Sequence, residues 1–142
     1  MLYLTFIGNH DVIEPDSKEF GAVISIFQAY KEEISKVYLF ITPDKKSEKV
    51  SYSKIAFENK QLIEKIKPIV EVKIIPINLP NPIDYDLVYP ALLNLIENLN
   101  TDTSFYESDK IINITSGTPT MTACWILLSE SGIINKSKLI FP

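Results

Sequence analysis

The hydrophobic residues of this chain fall into short unbroken runs, which alternate with longer stretches where they recur every three or four positions. Unbroken runs rich in β-branched and aromatic residues predict strands that are buried on both faces of a sheet. The wider spacing predicts helices with one buried side. The predicted strands are Leu2–Ile7, Val37–Thr42, Val70–Ile77, Lys110–Thr115 and Leu139–Phe141.

Four predicted helices lie between these strands. Asp84 is a suitable N-cap for the third helix, and Pro90 falls inside that helix, where it favours an irregular or kinked first turn. The predicted helices are the stretch from Phe20 through Ile34, Ser53–Lys67, the stretch that follows Asp84, and Thr118–Ser131. The predicted loops are Gly8–Glu19, Asp44–Ser51, Asn78–Ile83 and Asn100–Asp109.

This alternation of strands and helices is typical of an α/β protein with right-handed crossovers. We therefore predict a Rossmann-like, doubly wound, mainly parallel sheet with helices on both faces. The length of 142 residues suits one domain, residues 1–142. Because the chain stops at Pro142, directly after the last predicted strand, we expect this domain to be truncated from a longer effector protein. A short standalone protein is the alternative.

Composition and charge narrow the possible functions. The net charge of −4 argues against a protein that grips the phosphates of duplex DNA, although backbone N–H groups can still hold a compact anion. The single cysteine, Cys124, rules out an internal disulfide. No apolar run approaches the roughly 20 residues that cross a bilayer, and the first residues lack the features of a signal peptide. We expect a cytoplasmic protein with no membrane segment.

The most informative loop follows the fourth predicted strand and reads Thr-Ser-Gly-Thr-Pro-Thr, residues 115–120. Gly117 allows a close approach of a ligand to the backbone, Thr118 is a suitable N-cap, and Pro119 is favoured at the first helical position. The N–H groups of Thr120 and Met121 would then be free to bind an anion. The alternative is that these residues only start a helix. The segment contains neither a P-loop nor a dinucleotide-binding glycine motif.

Two segments of the sequence resemble a known family. Ile111–Gly132, IINITSGTPTMTACWILLSESG, resembles the last strand, turn and helix of CARF domains, the CRISPR-associated Rossmann-fold sensors. The resemblance is greater to the CARF-like sensor domain at the start of the bacterial regulator of the RNA terminal phosphate cyclase operon. Asn81–Tyr89 is similar to the Asn-Pro-aromatic-Asp segment of that subfamily, and Gly8 also matches. Many members carry a Lys where this chain has Pro119.

The resemblance implies a homodimeric sensor of cyclic oligoadenylate, either tetra- or hexa-adenylate, that belongs to a type III CRISPR ancillary effector. It implies that the sensor controls a fused output domain allosterically, and we predict no cofactor. Two other functions stay open: a ring nuclease that cleaves the same ligand through attack of a ribose 2′-hydroxyl, and a generic nucleotide-binding flavodoxin-like domain.

Under the sensor hypothesis, the predicted ligand-binding residues follow four of the strands. They are Gly8, Asn9, His10, Asp11, Thr42, Asn81, Thr115, Ser116, Gly117, Thr118, Pro119, Thr120 and Met121. His10, the only histidine, is a ligand contact, a general acid or base of a ring nuclease, or a solvated loop residue.

The remaining candidates have simpler interpretations. Asp11, Glu14 and Asp16 form an acidic cluster that favours a solvated loop over a metal site, so no metal is predicted. The lysines after the second strand either attract phosphates or are solvated; they are Lys45, Lys46 and Lys49. Asp84 is expected to cap its helix. Cys124 and Trp125 are expected to pack in a core or an interface.

Overall fold

The computed structural model describes residues 1–45 and 49–141. Five strands are present, β1 to β5: Leu2–Phe6, Lys36–Ile41, Glu71–Pro76, Lys110–Asn113 and Ser137–Ile140. Five α-helices, α1 to α5, cover Ala22–Tyr30, Tyr52–Ile66, Tyr85–Leu99, Thr103–Glu107 and Pro119–Glu130. A short 3₁₀ turn, Asn9–Asp11, follows β1. None of the helices in this described part is long and apolar enough to cross a membrane.

The five strands form one parallel sheet in the order β3-β2-β1-β4-β5. The chain winds outward from β1 to β3 and then returns to continue from β4 to β5 on the other side. Strand order therefore reverses between β1 and β4, and a ligand crevice is expected beyond the carboxyl ends of these two strands. The predicted Rossmann-like α/β fold is confirmed.

Helices cover both faces of the sheet and enclose two cores. Helices α1 and α2 pack against residues such as Tyr3 and Leu39 on one face. Helices α3, α4 and α5 pack on the other face, against Leu4, Phe6 and Phe40. Neighbouring residues of a strand point to opposite faces, so the unbroken apolar runs supply both cores at once.

One predicted loop contains a helix. The segment Asn100–Asp109 was expected to be a polar linker, but residues Thr103–Glu107 form α4. Asp102 caps this helix by accepting a hydrogen bond from the N–H of Ser104 at 2.9 Å. Phe105 is buried, and its ring meets Tyr38 edge-on at 5.5 Å between centroids. Burial of a single aromatic ring thus stabilises a helix that is too short to show an apolar repeat.

Helix α3 continues through Pro90, which is the sixth of its fifteen residues. A proline at this position cannot donate to the carbonyl four residues earlier, that of Asp86. Both residues are exposed, so water can reach the unpaired carbonyl. Asp84 caps the helix, as predicted, by accepting from the N–H of Asp86 at 3.0 Å.

Candidate ligand-binding cleft

A cleft of about 410 Å³ opens beyond the carboxyl ends of β1 and β4, at the point where strand order reverses. It brings together most of the predicted ligand-binding residues: Gly8, Asn9, His10, Asp11, Thr42, Thr115, Ser116, Gly117, Thr118 and Met121. Ile7, Ala22, Tyr52 and Pro82 line it as well and were missed by the sequence prediction. The described lining residues include no Lys or Arg.

Two glycines bring the turns after β1 and β4 into direct contact. Gly117 has a φ of +96°, in the left-handed region that favours glycine. A Cβ at this position would lie 2.6 Å from the Met121 sulfur and 3.3 Å from the Cβ of Phe6. A Cβ on Gly8 would lie 2.8 Å from the backbone nitrogen of Gly117. The floor of the cleft is therefore backbone packed on backbone, which leaves main-chain N–H groups close to any ligand.

A buried asparagine at the end of β4 holds the turn that follows. Asn113 is fully buried, and its Nδ2 donates to Thr5 Oγ1 at 3.1 Å and to Ser116 Oγ at 2.9 Å. Its Oδ1 accepts from the N–H of Thr115 at 2.9 Å and from the hydroxyl of Thr115 at 2.7 Å. All four bonds are made, so the side chain fixes the turn without leaving a buried polar atom unpaired. A polar residue inside an apolar strand is a sequence signal for such a role.

The start of α5 differs in one respect from the prediction. Thr118 is the N-cap and Pro119 the first helical residue, as predicted, but the Thr118 hydroxyl accepts from the N–H of Met121 at 3.2 Å. The Met121 N–H is therefore not free for an anion, because the capping side chain occupies it. The same hydroxyl donates to the carbonyl of Pro82 at 2.7 Å, which holds the loop before α3 against the cleft.

Three predicted ligand-binding residues lie outside the cleft. The Thr120 hydroxyl donates to the carbonyl of Ile83 at 2.8 Å, and Pro119 belongs to the first turn of α5. Asn81 turns back on its own loop, where its Oδ1 accepts from the N–H of Ile83 at 3.3 Å. Pro82, the neighbour of Asn81, lines the cleft instead.

The 3₁₀ turn after β1 is organised around Asp11, which is almost fully buried. Its carboxylate accepts from the N–H of Gly8 at 2.8 Å and from the N–H of Val23 at 3.2 Å. Burial raises the pKa of Asp11, although the hydrogen bonds from these two amides and the charge of His10 oppose the rise. Asp11 thus caps α1 from a distance, because the N-cap residue, Gly21, has no side chain to do so.

This burial separates Asp11 from the rest of the predicted acidic cluster. Glu14 and Asp16 are exposed. Within residues 1–45 and 49–141, no three His, Cys, Asp or Glu side chains converge to hold a metal ion.

Helix α2 holds the same turn from the other side. The Tyr52 hydroxyl donates to Asn9 Oδ1 at 2.8 Å, and Asn59 Nδ2 donates to the carbonyl of Asp11 at 2.8 Å. Tyr52 and Asn59 are seven residues apart, two helical turns, so they share one helix face. No local sequence signal marks Tyr52, because its partner lies 43 residues earlier in the chain. Asn9 and His10 are exposed within the cleft.

The remaining candidates that the structure describes lie outside the cleft. Lys45 Nζ donates to the carbonyl of Pro80 at 2.9 Å, Lys49 is exposed, and Lys46 lies outside the described residues. Cys124 and Trp125 are fully buried in the core, as predicted.

Comparison with known proteins identifies the family. The family model of RtcR, described as regulator of RNA terminal phosphate cyclase, matches residues 18–140. A comparison with curated proteins finds no match.

Two solved structures share the fold. The chain aligns with Enterococcus italicus Csm6 bound to cyclic hexa-2′-fluoro-hexa-dAMP, with a TM-score of 0.78 and 21% identity over 97% of this chain. It also aligns with Can2 from Sulfobacillus thermosulfidooxidans in complex with cyclic tetra-adenylate, with a TM-score of 0.53 and 18% identity over 98% of this chain. The chain spans 32% of the length of that Csm6 chain and 31% of the Can2 chain. On the family match, supported by the shared fold, the chain belongs to the RtcR family and is a CARF-like domain.

Proposed function

We propose that this domain is a sensor of cyclic oligoadenylate that works as a homodimer and controls a fused output domain. The observation that carries the proposal is the cleft at Gly8 and Gly117, where backbone and neutral polar groups converge at the reversal of strand order. The two solved structures compared above, which share the fold, were solved with cyclic adenine nucleotides bound.

The chemistry of the cleft suits phosphodiesters better than terminal phosphates. Within the described residues, the N–H groups of Ser116 and Gly117 have no hydrogen-bond partner. Backbone amides and hydroxyls can share the single negative charge of a phosphodiester without an ammonium group. A terminal phosphate carries a second charge, which the described lining residues do not match because they include no Lys or Arg.

The size of the cleft supports a dimer. Pockets that enclose one drug-sized ligand measure roughly 300–1,000 Å³, and this cleft of about 410 Å³ lies near the lower end. A ring of four or six nucleotides needs more space than that. A symmetric ring is matched by two copies of the same cleft related by a two-fold axis.

An exposed apolar surface is available for the partner subunit. The α3–α5 surface, as we name it, consists of the exposed side chains Ile83, Tyr85, Leu87, Ile126 and Leu127. Helices α3 and α5 pack side by side on one face of the sheet. Exposed apolar residues grouped on neighbouring elements are typical of interaction sites. The loop that contains Ile83 is also bonded to Thr120 at the start of α5, directly after the turn that follows β4. A ligand and a partner subunit can therefore act on the same backbone.

Calorimetric titration of the purified chain with cyclic tri-, tetra- and hexa-adenylate tests the proposal. We expect one ring size to bind with a stoichiometry of one ring per two chains. Linear oligoadenylate of the same length is the control and should bind more weakly, because its terminal phosphate adds charge and its ends are not held in register. Failure of every ring to bind would contradict the sensor function.

His10 supports a second candidate, a ring nuclease. It is exposed in the cleft and is the only histidine of the chain. In such a reaction a ribose 2′-oxygen bonds to the adjacent phosphorus, the bond to the 5′-oxygen breaks, and a 2′,3′-cyclic phosphate and a 5′-hydroxyl remain. His10 would accept the 2′-hydroxyl proton or donate one to the leaving oxygen. Chromatography should then reveal linear products that disappear with His10→Ala, while unchanged ring in the wild type would contradict the nuclease.

A further inference from the structure

We propose that Tyr52 is a positioning residue that fixes the orientation of the Asn9 side-chain amide, so that Asn9 Nδ2 donates to a phosphate of the bound nucleotide. This inference rests on the proposed sensor function. Both residues line the cleft, and the Tyr52 hydroxyl donates to Asn9 Oδ1 at 2.8 Å.

In the structure, the oxygen end of the Asn9 amide makes the hydrogen bond to Tyr52. An asparagine amide has one oxygen, which accepts, and one nitrogen, which donates two hydrogens. Because Tyr52 occupies the oxygen of Asn9, the donor end is left for other partners. Among the described residues, Asn9 Nδ2 has no hydrogen-bond partner, and Asn9 is exposed in the cleft.

The backbone beneath Asn9 is held in place before any ligand arrives. The carboxylate of Asp11 binds the N–H of Gly8, and Asn59 binds the carbonyl of Asp11. Asn59 and Tyr52 come from the same face of α2, so one rigid helix supports both the backbone of the turn and the side chain of Asn9. Interactions that are organised in advance lower the entropy lost on binding.

The position of Tyr52 is itself well determined. It is the first residue of α2, whose N-cap, Ser51, accepts from the N–H of Lys54 at 3.2 Å. Asp44 accepts from the Ser51 hydroxyl at 2.8 Å and from the N–H of Ser53 at 3.3 Å. These two caps fix the first turn of the helix and therefore the direction of the Tyr52 ring.

A phosphate is the acceptor that this arrangement favours. The unpaired N–H groups of Ser116 and Gly117 line the same cleft as Asn9, so the Asn9 amide adds a donor to them. With the opposite orientation, Asn9 Oδ1 would face the phosphate oxygens and repel them. In the structure, Asn9 Oδ1 is instead bonded to the phenol hydroxyl, which holds the side chain without itself contacting the ligand.

Binding of the cyclic adenylate that the wild-type chain prefers tests the inference in four variants: Tyr52→Phe, Asn9→Ala, Asn9→Asp and the double variant Y52F/N9A. Loss of one neutral hydrogen bond corresponds to roughly a threefold to tenfold weaker affinity, and we expect this for Y52F. N9D should bind more weakly than N9A, because a carboxylate still accepts from Tyr52 but repels phosphate. Tyr106→Phe is the matched control, since Tyr106 is exposed on α4, away from the cleft, and its affinity should equal that of the wild type.

The double variant separates positioning from other roles of Tyr52. If Tyr52 acts through Asn9, Y52F should cause no further loss in the N9A background. A wild-type affinity for Y52F, or an equal loss in both backgrounds, would overturn the inference while the sensor function stands. Failure of the wild type to bind any ring would contradict both the sensor function and this inference.

NMR of the ligand-free protein gives a second readout. The side-chain amide resonances of Asn9 should shift in Y52F and stay unchanged in Y106F. Unshifted resonances in Y52F would also overturn the inference.

Discussion

At the scale of single residues, the shape of the cleft depends on glycines as much as on residues with side chains. Gly8 and Gly117 let two turns meet at van der Waals distance, and Gly21 leaves space beside the buried carboxylate of Asp11. A Cβ on Gly21 would lie 2.7 Å from Asp11 Oδ1 and would overlap the carbonyl oxygen of His10. Substitutions at these positions therefore change the backbone of the site itself.

Gly117→Val should weaken ring binding far more than Thr120→Ala. At this position valine would have to adopt a left-handed backbone, and its Cβ would overlap the Met121 sulfur. We expect these two effects to lower the free energy of unfolding by about 1–3 kcal/mol or to displace the turn. Thr120 lies outside the cleft and loses only the exposed hydrogen bond to the Ile83 carbonyl. Calorimetric titration and thermal unfolding of both variants measure the difference. Equal affinities for the two variants would contradict a role of the Gly117 backbone in binding.

The carboxyl group of Asp11 should titrate above the ordinary range of aspartate, because burial raises its pKa. Asp44 is the internal control: the hydrogen bond from the Ser51 hydroxyl lowers the pKa of its carboxyl. Carbon-detected NMR titration should resolve the two shifts in opposite directions. An Asp11 pKa at or below that of Asp44 would contradict the buried, desolvated environment.

The raised pKa has a consequence for stability. The unfolded chain releases the Asp11 proton near pH 4, at about the ordinary aspartate value, whereas the folded chain keeps it to higher pH. Between these two pKa values the folded state binds more protons, so the free energy of unfolding contributed by Asp11 falls as pH rises and levels off above the folded pKa. The contribution is therefore largest below the unfolded pKa.

At the scale of elements, two side-chain clusters connect the strand ends to the helices. Asn113 links β4 to β1 and to the turn before α5. The hydroxyls of Thr118 and Thr120 link the start of α5 to the carbonyls of Pro82 and Ile83. A displacement of the turn between β4 and α5 would therefore also move the loop before α3, which borders the α3–α5 surface.

Asn113→Ala should destabilise the fold by about 2–3 kcal/mol, because the buried hydroxyls of Thr5 and Ser116 and the N–H of Thr115 would lose this partner. We also expect weaker ring binding, since the turn loses its anchor. Asn94→Ala on α3 is the matched control, because Asn94 is exposed and should leave stability nearly unchanged. Chemical denaturation of both variants is the measurement. A free energy of unfolding for N113A equal to that of N94A would contradict the role of this network.

At the scale of the whole molecule, the two faces of the sheet differ. The face of α1 and α2 supplies the support for the turn after β1, through Val23, Tyr52 and Asn59. The face of α3 and α5 carries the α3–α5 surface. Helix α5 buries Cys124 and Trp125 and still exposes Leu127, so it is apolar on both sides. That distribution is typical of a helix packed between a core and a partner.

Leu127→Lys should therefore convert the proposed dimer to a monomer, because it places a charge in the proposed interface. Ring binding should weaken with it, since half of the ring would lose its cleft. Phe57→Lys is the control, as Phe57 is 54% exposed on α2, on the opposite face. Sedimentation equilibrium gives the oligomeric state of each variant. A monomeric wild type, or an L127K variant that remains dimeric, would contradict the proposed interface.

The sequence by itself determined the α/β class, the order of the five strands and of every α-helix except α4, the caps Asp84 and Thr118, and the burial of Cys124 and Trp125. These features follow from local periodicity and from hydrogen bonds between near neighbours, which a linear pattern contains.

Only the tertiary structure decided which polar groups line the cleft and which of them already have a hydrogen-bond partner. It directs the Asp11 carboxylate into the protein and brings Tyr52 into the cleft from 43 residues beyond Asn9. It also leaves Asn81 outside and occupies the Met121 N–H with the cap. These outcomes depend on how distant elements pack against each other, because a hydrogen-bonding group goes to the partner that burial places within reach.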